Sequence, residues 1–464
     1  MAEPTEIFDA ILIGAGQANN PLARSLARSG RRVALIEKGK IGGTCVNTGC
    51  TPTKTMAASA RIAYLARRAG EYGVHPGAVE VRLDEARDRT RAIVERFSSG
   101  SERKLESTEG LELIRGRGSF AAPRTVRVEL NDGGTRLLSG EVIVIDTGCR
   151  PARPEIPGLN SVPWLDSSGV LELGEIPEHL LVLGGGYIGV EFAQMFRRFG
   201  SRVTLFQKGG QLLSREDPDM AEALAEILRE DGLDVILNGE ATRVGGSAGD
   251  IQLSVRSDGR VREVTGSHLL VATGRVPNTE DLNLTAAGIR VDDRGFIPVD
   301  ERLATNVPGI YALGDVNGGP AFTHVSHHDN QILRENLLHD AGRTTSGRLI
   351  PFTVFTDPQF GRVGLTEEEA RERGHQLRIA RLPMTDIARA VEIGESRGLL
   401  KAIVDARTDL ILGCTALGIE GGEIMAMVQI AMMGRLSYRR IRDDMFAHPT
   451  LARGLNNLFA HLEE

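Results

Sequence analysis

The sequence predicts an α/β chain: two βαβ units, each opened by a glycine-rich turn, followed by a C-terminal α+β segment. Three observations carry this. The apolar, β-branched run IFDAILI (7–13) passes directly into Gly14-Ala15-Gly16-Gln17-Ala18-Asn19. The same strand–turn–helix–strand order returns at HLLVLGGGYIGVEFAQMFRRFGSRVTLFQK, about 170 residues later. Beyond about residue 346 the alternation stops, and FTVFTDPQFGRVGL, LLKAIVDARTDLILGCTAL and two helical stretches suggest an antiparallel sheet with helices.

In the first unit PLARSLARSG predicts a short helix closed by Gly30, and RRVALIEK a second strand. Glu37 ends that strand, 21 residues after Gly16. In dinucleotide-binding folds a carboxylate there takes the adenosine ribose hydroxyls. In the second unit Gly184, Gly186 and Gly189 complete a G-x-G-x-x-G turn. Its glycines allow a tight bend and close approach to a pyrophosphate on the helix N-terminus. A lone turn of this kind is weak evidence. Two in full βαβ settings predict two Rossmann-type domains holding two dinucleotides. The second strand ends at Gln207 and Lys208, without the carboxylate that favours an unphosphorylated ribose. This predicts NADPH over NADH, with NADH possible and Lys208 facing the 2′-phosphate.

A length of 464 residues exceeds what one core supports. The expected division is 1–147 and 279–345 for the first nucleotide domain, 148–278 for the second and 346–464 for the C-terminal domain, with CRPARPEIPG (149–158) as a Pro-rich linker. A formal net charge of -7 argues against a nucleic-acid partner. No stretch reaches the roughly 20 apolar residues of a membrane span, and the N-terminal segment has no basic leader, so a cytoplasmic home is expected. The four cysteines are Cys45, Cys50, Cys149 and Cys414, too few for a disulfide scaffold. Positive charge is carried almost entirely by arginine. The lysines are Lys38, Lys40, Lys54, Lys104, Lys208 and Lys401, which makes a lysine at a motif position informative.

The segment Gly42-Gly43-Thr44-Cys45-Val46-Asn47-Thr48-Gly49-Cys50-Thr51-Pro52-Thr53-Lys54 carries the chemistry. Two cysteines with four residues between them, at the start of a helix, can close a disulfide where the helix N-terminus favours a thiolate. A structural disulfide or half a zinc site are the alternatives; no second Cys/His pair stands at zinc spacing.

GGTCVNTGCTPTK resembles the redox-active disulfide of the class I pyridine nucleotide–disulfide oxidoreductases, a family that includes dihydrolipoamide dehydrogenase, glutathione reductase and mercuric reductase. TPTKTMAASARIAYLARRAGEYGV is most similar to the mercuric-reductase-like members. The likeness runs through ATGRVPN, TNVPGIYALGDV and FAHPTLARGLNNLF to the end of the chain. It implies FAD as the first dinucleotide and a C-terminal dimerisation domain. It further implies Cys50 as the thiolate against the flavin, Cys45 as the thiol that meets substrate, and Lys54 near the flavin, paired with Glu191. Tyr187 would be the aromatic lid that nicotinamide displaces. Asp315 would bind the ribityl chain and Glu37 the adenosine ribose. Gly148 and Gly274, in DTGCRP and ATGRVPN, would be further cofactor contacts. His448 would reach across a homodimer interface as acid/base for the interchange thiol.

Three departures stand out. Asn19 replaces the third glycine of the first turn and is expected to shift the helix slightly. Arg453 replaces the carboxylate that orients the family's histidine and, if the side chains are near one another, should lower the His448 pKa. A C-terminal cysteine pair and an N-terminal heavy-metal domain are absent, so mercury turnover by a thiol relay is not expected. His324, His327 and His328 lie at helical spacing that could bind metal, but packing beside the cofactor is favoured. Cys149 and Cys414 read as buried, inert thiols.

The expected activity is electron transfer from NAD(P)H through FAD to Cys45–Cys50, then to a small disulfide. A Cu(II) or Hg(II) ion is second, with dihydrolipoyl dehydrogenase as a further alternative within the family. Direct transfer from flavin to a quinone or oxygen is third. A nucleotide-binding regulatory protein without turnover is the rival of another class.

Overall fold

The computed structural model describes residues 5–257 and 259–462. The chain forms two compact units. One takes Met1–Thr55, Arg87–Ala152 and Gly274–Arg348; the other takes Met56–Ala86, Arg153–Thr273 and Leu349–Glu464.

The first unit is built on parallel strands in the order Leu111–Ala122, Val33–Glu37, Thr5–Ile13, Thr135–Ile145 and Ile310–Ala312. Ala10, Ile11 and Leu12 are consecutive and fully buried. Such a run fits only a strand covered on both faces. The two long strands continue past this layer and pair antiparallel with Thr125–Leu130. There Leu111–Ala122 buries every second residue, at Ile114, Gly116, Gly118 and Phe120, as a one-sided sheet requires. Helix Asn19–Arg28 sets Leu22, Ala23, Leu26 and Ala27 against one face, with Ile332 and Leu333 of helix Thr323–His339 in the same core. Gly30, at φ 88°, ends the first helix and donates to the Ala27 carbonyl at 2.9 Å. The Pro-rich stretch is more than a linker: Cys149–Pro151 pairs antiparallel with Arg275–Pro277, where the chain leaves and re-enters this unit.

The second unit has a parallel sheet in the order His268–Val271, His179–Leu183, Arg202–Phe206 and Asp234–Ile236. Three antiparallel strands follow, Glu240–Ser247, Asp250–Ser257 and Arg260–Gly266. Beyond residue 348 a five-stranded sheet runs Phe352–Val354, Gln359–Gly364, Ile411–Gly418, Leu399–Asp405 and Leu377–Pro383, with every neighbouring pair antiparallel. Helices Gly421–Met433 and Gly454–Ala460 pack on it through Ile424, Met425, Val428, Leu455, Leu458 and Phe459. The α+β reading of this region holds. Lys401 lies buried in the sheet, its ammonium 2.8 Å from Glu367, 2.9 Å from Asp219 and 3.1 Å from Asp217. A buried ammonium needs such compensation.

Candidate active site

Cys45 lies in the short helix Gly43–Asn47, and Cys50 is the first residue of helix Cys50–Arg68. Both are in the dithiol form. The neighbouring Cys50 thiol and burial push the Cys45 thiol up, while the Thr323 hydroxyl and the Lys54 ammonium oppose the rise. Thr323 opens helix Thr323–His339 and stands with its Oγ1 3.4 Å from Cys50 Sγ. Lys54 follows Cys50 by one helical turn. The structure thus gathers Cys45, Cys50, Lys54 and Thr323. Thr323 is a contact that no local motif signals, since it is 273 residues from Cys50.

Gly42 and Gly43 carry φ of 110° and 62°, conformations that suit glycine. They let this segment lie on the first turn, where a Cβ on Gly43 would stand 3.0 Å from Gly16 Cα. At that turn Glu37 Oε2 accepts from Ala15 N at 2.8 Å and Oε1 from Gly39 N at 2.7 Å. A Cβ on Gly14 would collide with the Asp146 carbonyl. Asn19 is fully buried and donates its amide to the carbonyls of Gly14 at 2.9 Å and Ile13 at 3.3 Å. Beneath the helix start, Asp146 Oδ2 accepts from Ala18 N at 3.2 Å and Asn19 N at 3.0 Å. Burial drives the Asp146 carboxyl well above the ordinary range, and Asp315 and Asp329 add to the rise. Asp315 is raised by its own burial against the opposing charge of Arg275, 3.3 Å away. Gly148 (φ 64°) and Gly274 (φ 156°) flank the paired strands Cys149–Pro151 and Arg275–Pro277.

These residues fit FAD. Glu37 is a carboxylate at the strand end, and the glycine turn keeps side chains out of the approach. The buried amide oxygens of Asn19, Asn20 and Asn47 accept no hydrogen bond from the chain. Buried acceptors of this kind call for a donor from elsewhere.

At the second turn Gly184 has φ 107°, and a Cβ there would collide with the Ala272 carbonyl. A Cβ on Gly189 would strike the Gly184 carbonyl, whereas one on Gly186 would meet no protein atom within 4 Å. The turn is packed behind and open in front, as a bound pyrophosphate requires. Gln207 Oε1 accepts from Gly185 N at 2.9 Å. Lys208 is exposed and paired with Glu240 at 2.8 Å. Tyr187 opens helix Tyr187–Phe199 and donates to Glu216 Oε1 at 2.8 Å. Glu191, buried one turn on, accepts from Phe355 N at 2.7 Å.

His448 is exposed ahead of helix Gly454–Ala460. Arg453 gives its guanidinium to Asn456 Oδ1 at 2.6 Å, and Asn456 is itself buried and bonded to the carbonyls of Ile441, Arg442 and Asp444. The arginine side chain is therefore engaged by the first turn of the C-terminal helix. The three histidines lie on helix Thr323–His339, with His324 stacked on Phe322 at 5.4 Å. Among the described residues no group of three His, Cys, Asp or Glu side chains could hold a metal ion. Cys149 and Cys414 are buried, and burial pushes each thiol up to about 12. Among the described residues no helix is long and apolar enough to cross a membrane.

Comparison with known proteins places this geometry. The family model for pyridine nucleotide-disulphide oxidoreductase matches residues 8–329, and that for the family's dimerisation domain matches 350–458. The chain is 40% identical over 457 residues to the probable pyridine nucleotide-disulfide oxidoreductase RclA of Escherichia coli K12, covering 98% of this chain and 99% of that protein. It is 34% identical to a mercuric reductase of Staphylococcus aureus, covering 97% and 81%. The solved structure of the Cu(II) complex of the HOCl-induced flavoprotein disulfide reductase RclA from Escherichia coli aligns with a TM-score of 0.89 at 38% identity, covering 99% of each chain.

Proposed function

The chain belongs to the pyridine nucleotide-disulphide oxidoreductases, and from that premise we propose a route for its electrons and a role for each residue along it. It is an FAD-dependent disulfide oxidoreductase using NAD(P)H, and it carries the family's dimerisation domain. FAD, when bound, supplies the two-electron carrier between nicotinamide and the Cys45–Cys50 pair.

The observation that carries the assignment is the dithiol itself. Cys50 opens a 19-residue helix and Cys45 leans on it as a hydrogen-bonding thiol. The helix dipole and the Thr323 hydroxyl favour an anion on Cys50, while Cys45 keeps its proton. Cys45 is then the thiol that exchanges with an incoming disulfide: it gives up its proton as its sulfur attacks, the first substrate thiolate leaves with that proton, and the Cys50 thiolate attacks Cys45 to release the second substrate thiolate and close the Cys45–Cys50 disulfide. His448 of the partner subunit is the acid/base we assign: it takes the Cys45 proton as the sulfur attacks and hands it to the leaving thiolate. Gly14, Gly16, Gly148, Gly274, Glu37 and Asp315 bind FAD; Gly184, Gly186 and Gly189 bind the nicotinamide nucleotide. Tyr187 is the ring that nicotinamide displaces.

The leading acceptor is a small disulfide. Cu(II) is the second reading, favoured by the copper complex of the Escherichia coli relative. Absence of a strand-end carboxylate at Gln207 supports NADPH over NADH. Lys208 must trade Glu240 for the 2′-phosphate, so the preference should be on the order of tenfold, about 1.4 kcal/mol.

Serine variants test the route. Cys45→Ser should abolish disulfide turnover and keep a long-wavelength thiolate–flavin band, because Cys50 still ionises. Cys50→Ser should lose both. Undiminished disulfide reduction by Cys45→Ser would mean that electrons bypass the pair.

A further inference from the structure

Glu216 is a fully buried carboxylate with no place in the electron route above. Its environment is specific. Tyr187 Oη donates to Oε1 at 2.8 Å, and Arg362 Nε stands 2.6 Å from Oε2. The Tyr187 ring stacks on Phe352 with centroids 5.0 Å apart and planes at 29°. The Arg362 guanidinium covers the same Phe352 ring at 5.0 Å. Burial raises both the Glu216 carboxyl and the Tyr187 phenol, with Arg362 opposing each rise. The tyrosine ring is thus held on one side by an aromatic stack and at its tip by a charge-assisted hydrogen bond.

Glu216 is also tied to the nucleotide turn through its backbone. Leu213, at φ 44°, donates its N–H to the Gly185 carbonyl at 2.9 Å, and Glu216 N donates to the Leu213 carbonyl at 2.8 Å. Gln211 Nε2 donates to the Glu216 carbonyl at 3.0 Å. The segment 211–216 is therefore laid against the same glycine turn whose first helical residue is Tyr187. A nucleotide that seats on this turn meets Tyr187 already fastened.

We propose that Glu216, braced by Arg362, is the catch that holds Tyr187 in place, so that nicotinamide binding must break the Tyr187–Glu216 hydrogen bond. This rests on the reading of Tyr187 as the ring that nicotinamide displaces. Glu216 and Arg362 are positioning residues: they set how often the ring stands aside. Apparent affinity scales with the fraction of molecules whose ring is displaced, and a hydrogen bond to a charged acceptor shifts such a fraction by about tenfold or more.

The test uses the holoenzyme and NADP⁺ binding, measured by equilibrium dialysis, with retained FAD as the check on folding. Tyr187→Phe keeps the ring and its stack but removes the hydroxyl. It should lower the NADP⁺ dissociation constant by about tenfold. Glu216→Gln, which leaves an acceptor but no charge, should lower it by less. The double variant should bind no more tightly than Tyr187→Phe alone, because both changes release one catch. Tyr187→Ala separates the two readings. If Tyr187→Ala tightens binding while Tyr187→Phe and Glu216→Gln do not, the ring is displaced but Glu216 does not hold it, and the proposal fails. If Tyr187→Ala leaves affinity unchanged, the ring is not displaced at all, and both readings fail. Additive effects of Tyr187→Phe and Glu216→Gln would likewise overturn the catch.

Discussion

In the first glycine turn Ala15 N donates to Glu37 Oε2, and in the second Gly185 N donates to Gln207 Oε1. The N–H that begins each turn also bonds the facing strand: Gly14 N meets the Ile36 carbonyl and Gly184 N the Phe206 carbonyl, both at 2.9 Å. The backbone scheme is shared, and the side chains around it are not. The first turn has Asn19 at its sixth position, and its helix starts there; the second has Gly189, and its helix starts two positions earlier, at Tyr187. Behind the first turn lies Asp146; the equivalent residue behind the second is Ala272. One turn is closed by buried polar bonds and a strand-end carboxylate. The other has a tight glycine contact, no strand-end carboxylate and a tethered tyrosine. The difference suits a turn that keeps its cofactor and a turn that exchanges one.

The largest expected effect is at the sixth position. Gly189→Ala drives a Cβ into the Gly184 carbonyl, so NADPH kcat/KM should fall by about 100-fold or more, about 3 kcal/mol, with FAD retained. Asn19→Ala in the first turn loses only hydrogen bonds to carbonyls and should lower stability by about 1–2 kcal/mol. Equal losses of nucleotide affinity in both turns would erase the distinction.

Asp146 gives a smaller effect that depends on pH. Its folded-state pKa is raised, so the folded protein holds this proton more tightly than the unfolded chain. The group therefore contributes most at pH below the ordinary carboxylate range, and that contribution is lost as pH rises through the raised value. Asp146→Asn should stabilise the protein at pH 8 and by progressively less toward pH 4, read by thermal denaturation. A variant less stable at pH 8 than at pH 4, relative to the parent, would contradict this.

The smallest concerns charge at the strand end. Gln207→Glu gives the second turn the first turn's carboxylate, as in the Glu37–Ala15 bond. The ratio of kcat/KM for NADPH to that for NADH should fall about tenfold, about 1.4 kcal/mol. An unchanged ratio would place nucleotide choice elsewhere.

What the sequence revealed follows the same division. Both turns, the Cys45–Cys50 segment and the change to an antiparallel sheet after residue 346 are local patterns, and local patterns survive in one dimension. Thr323 beside Cys50, Arg362 beside Glu216 and Asp146 beneath Asn19 are pairs separated by 273, 146 and 127 residues. Only the folded chain can bring them together. The helix Leu83–Glu106 is faint in the sequence because most of its 24 residues are polar, with Leu83, Ala86, Thr90, Val94, Ser98 and Leu105 its buried positions. Lys401 is rare by type in this chain, but nothing near it in sequence announces its three carboxylate partners. Nor does the sequence announce that Arg453 gives its guanidinium to the buried Asn456 Oδ1, 2.6 Å away.

The central claim is that Cys45 and Cys50 are a second two-electron store in series with FAD. Anaerobic titration of the holoenzyme with NADPH tests it directly. The dithiol couple and the flavin should together take up about four electrons, with a long-wavelength thiolate–flavin band at the halfway stage. Uptake that stops at about two electrons, with the flavin bleached and no such band, would contradict it.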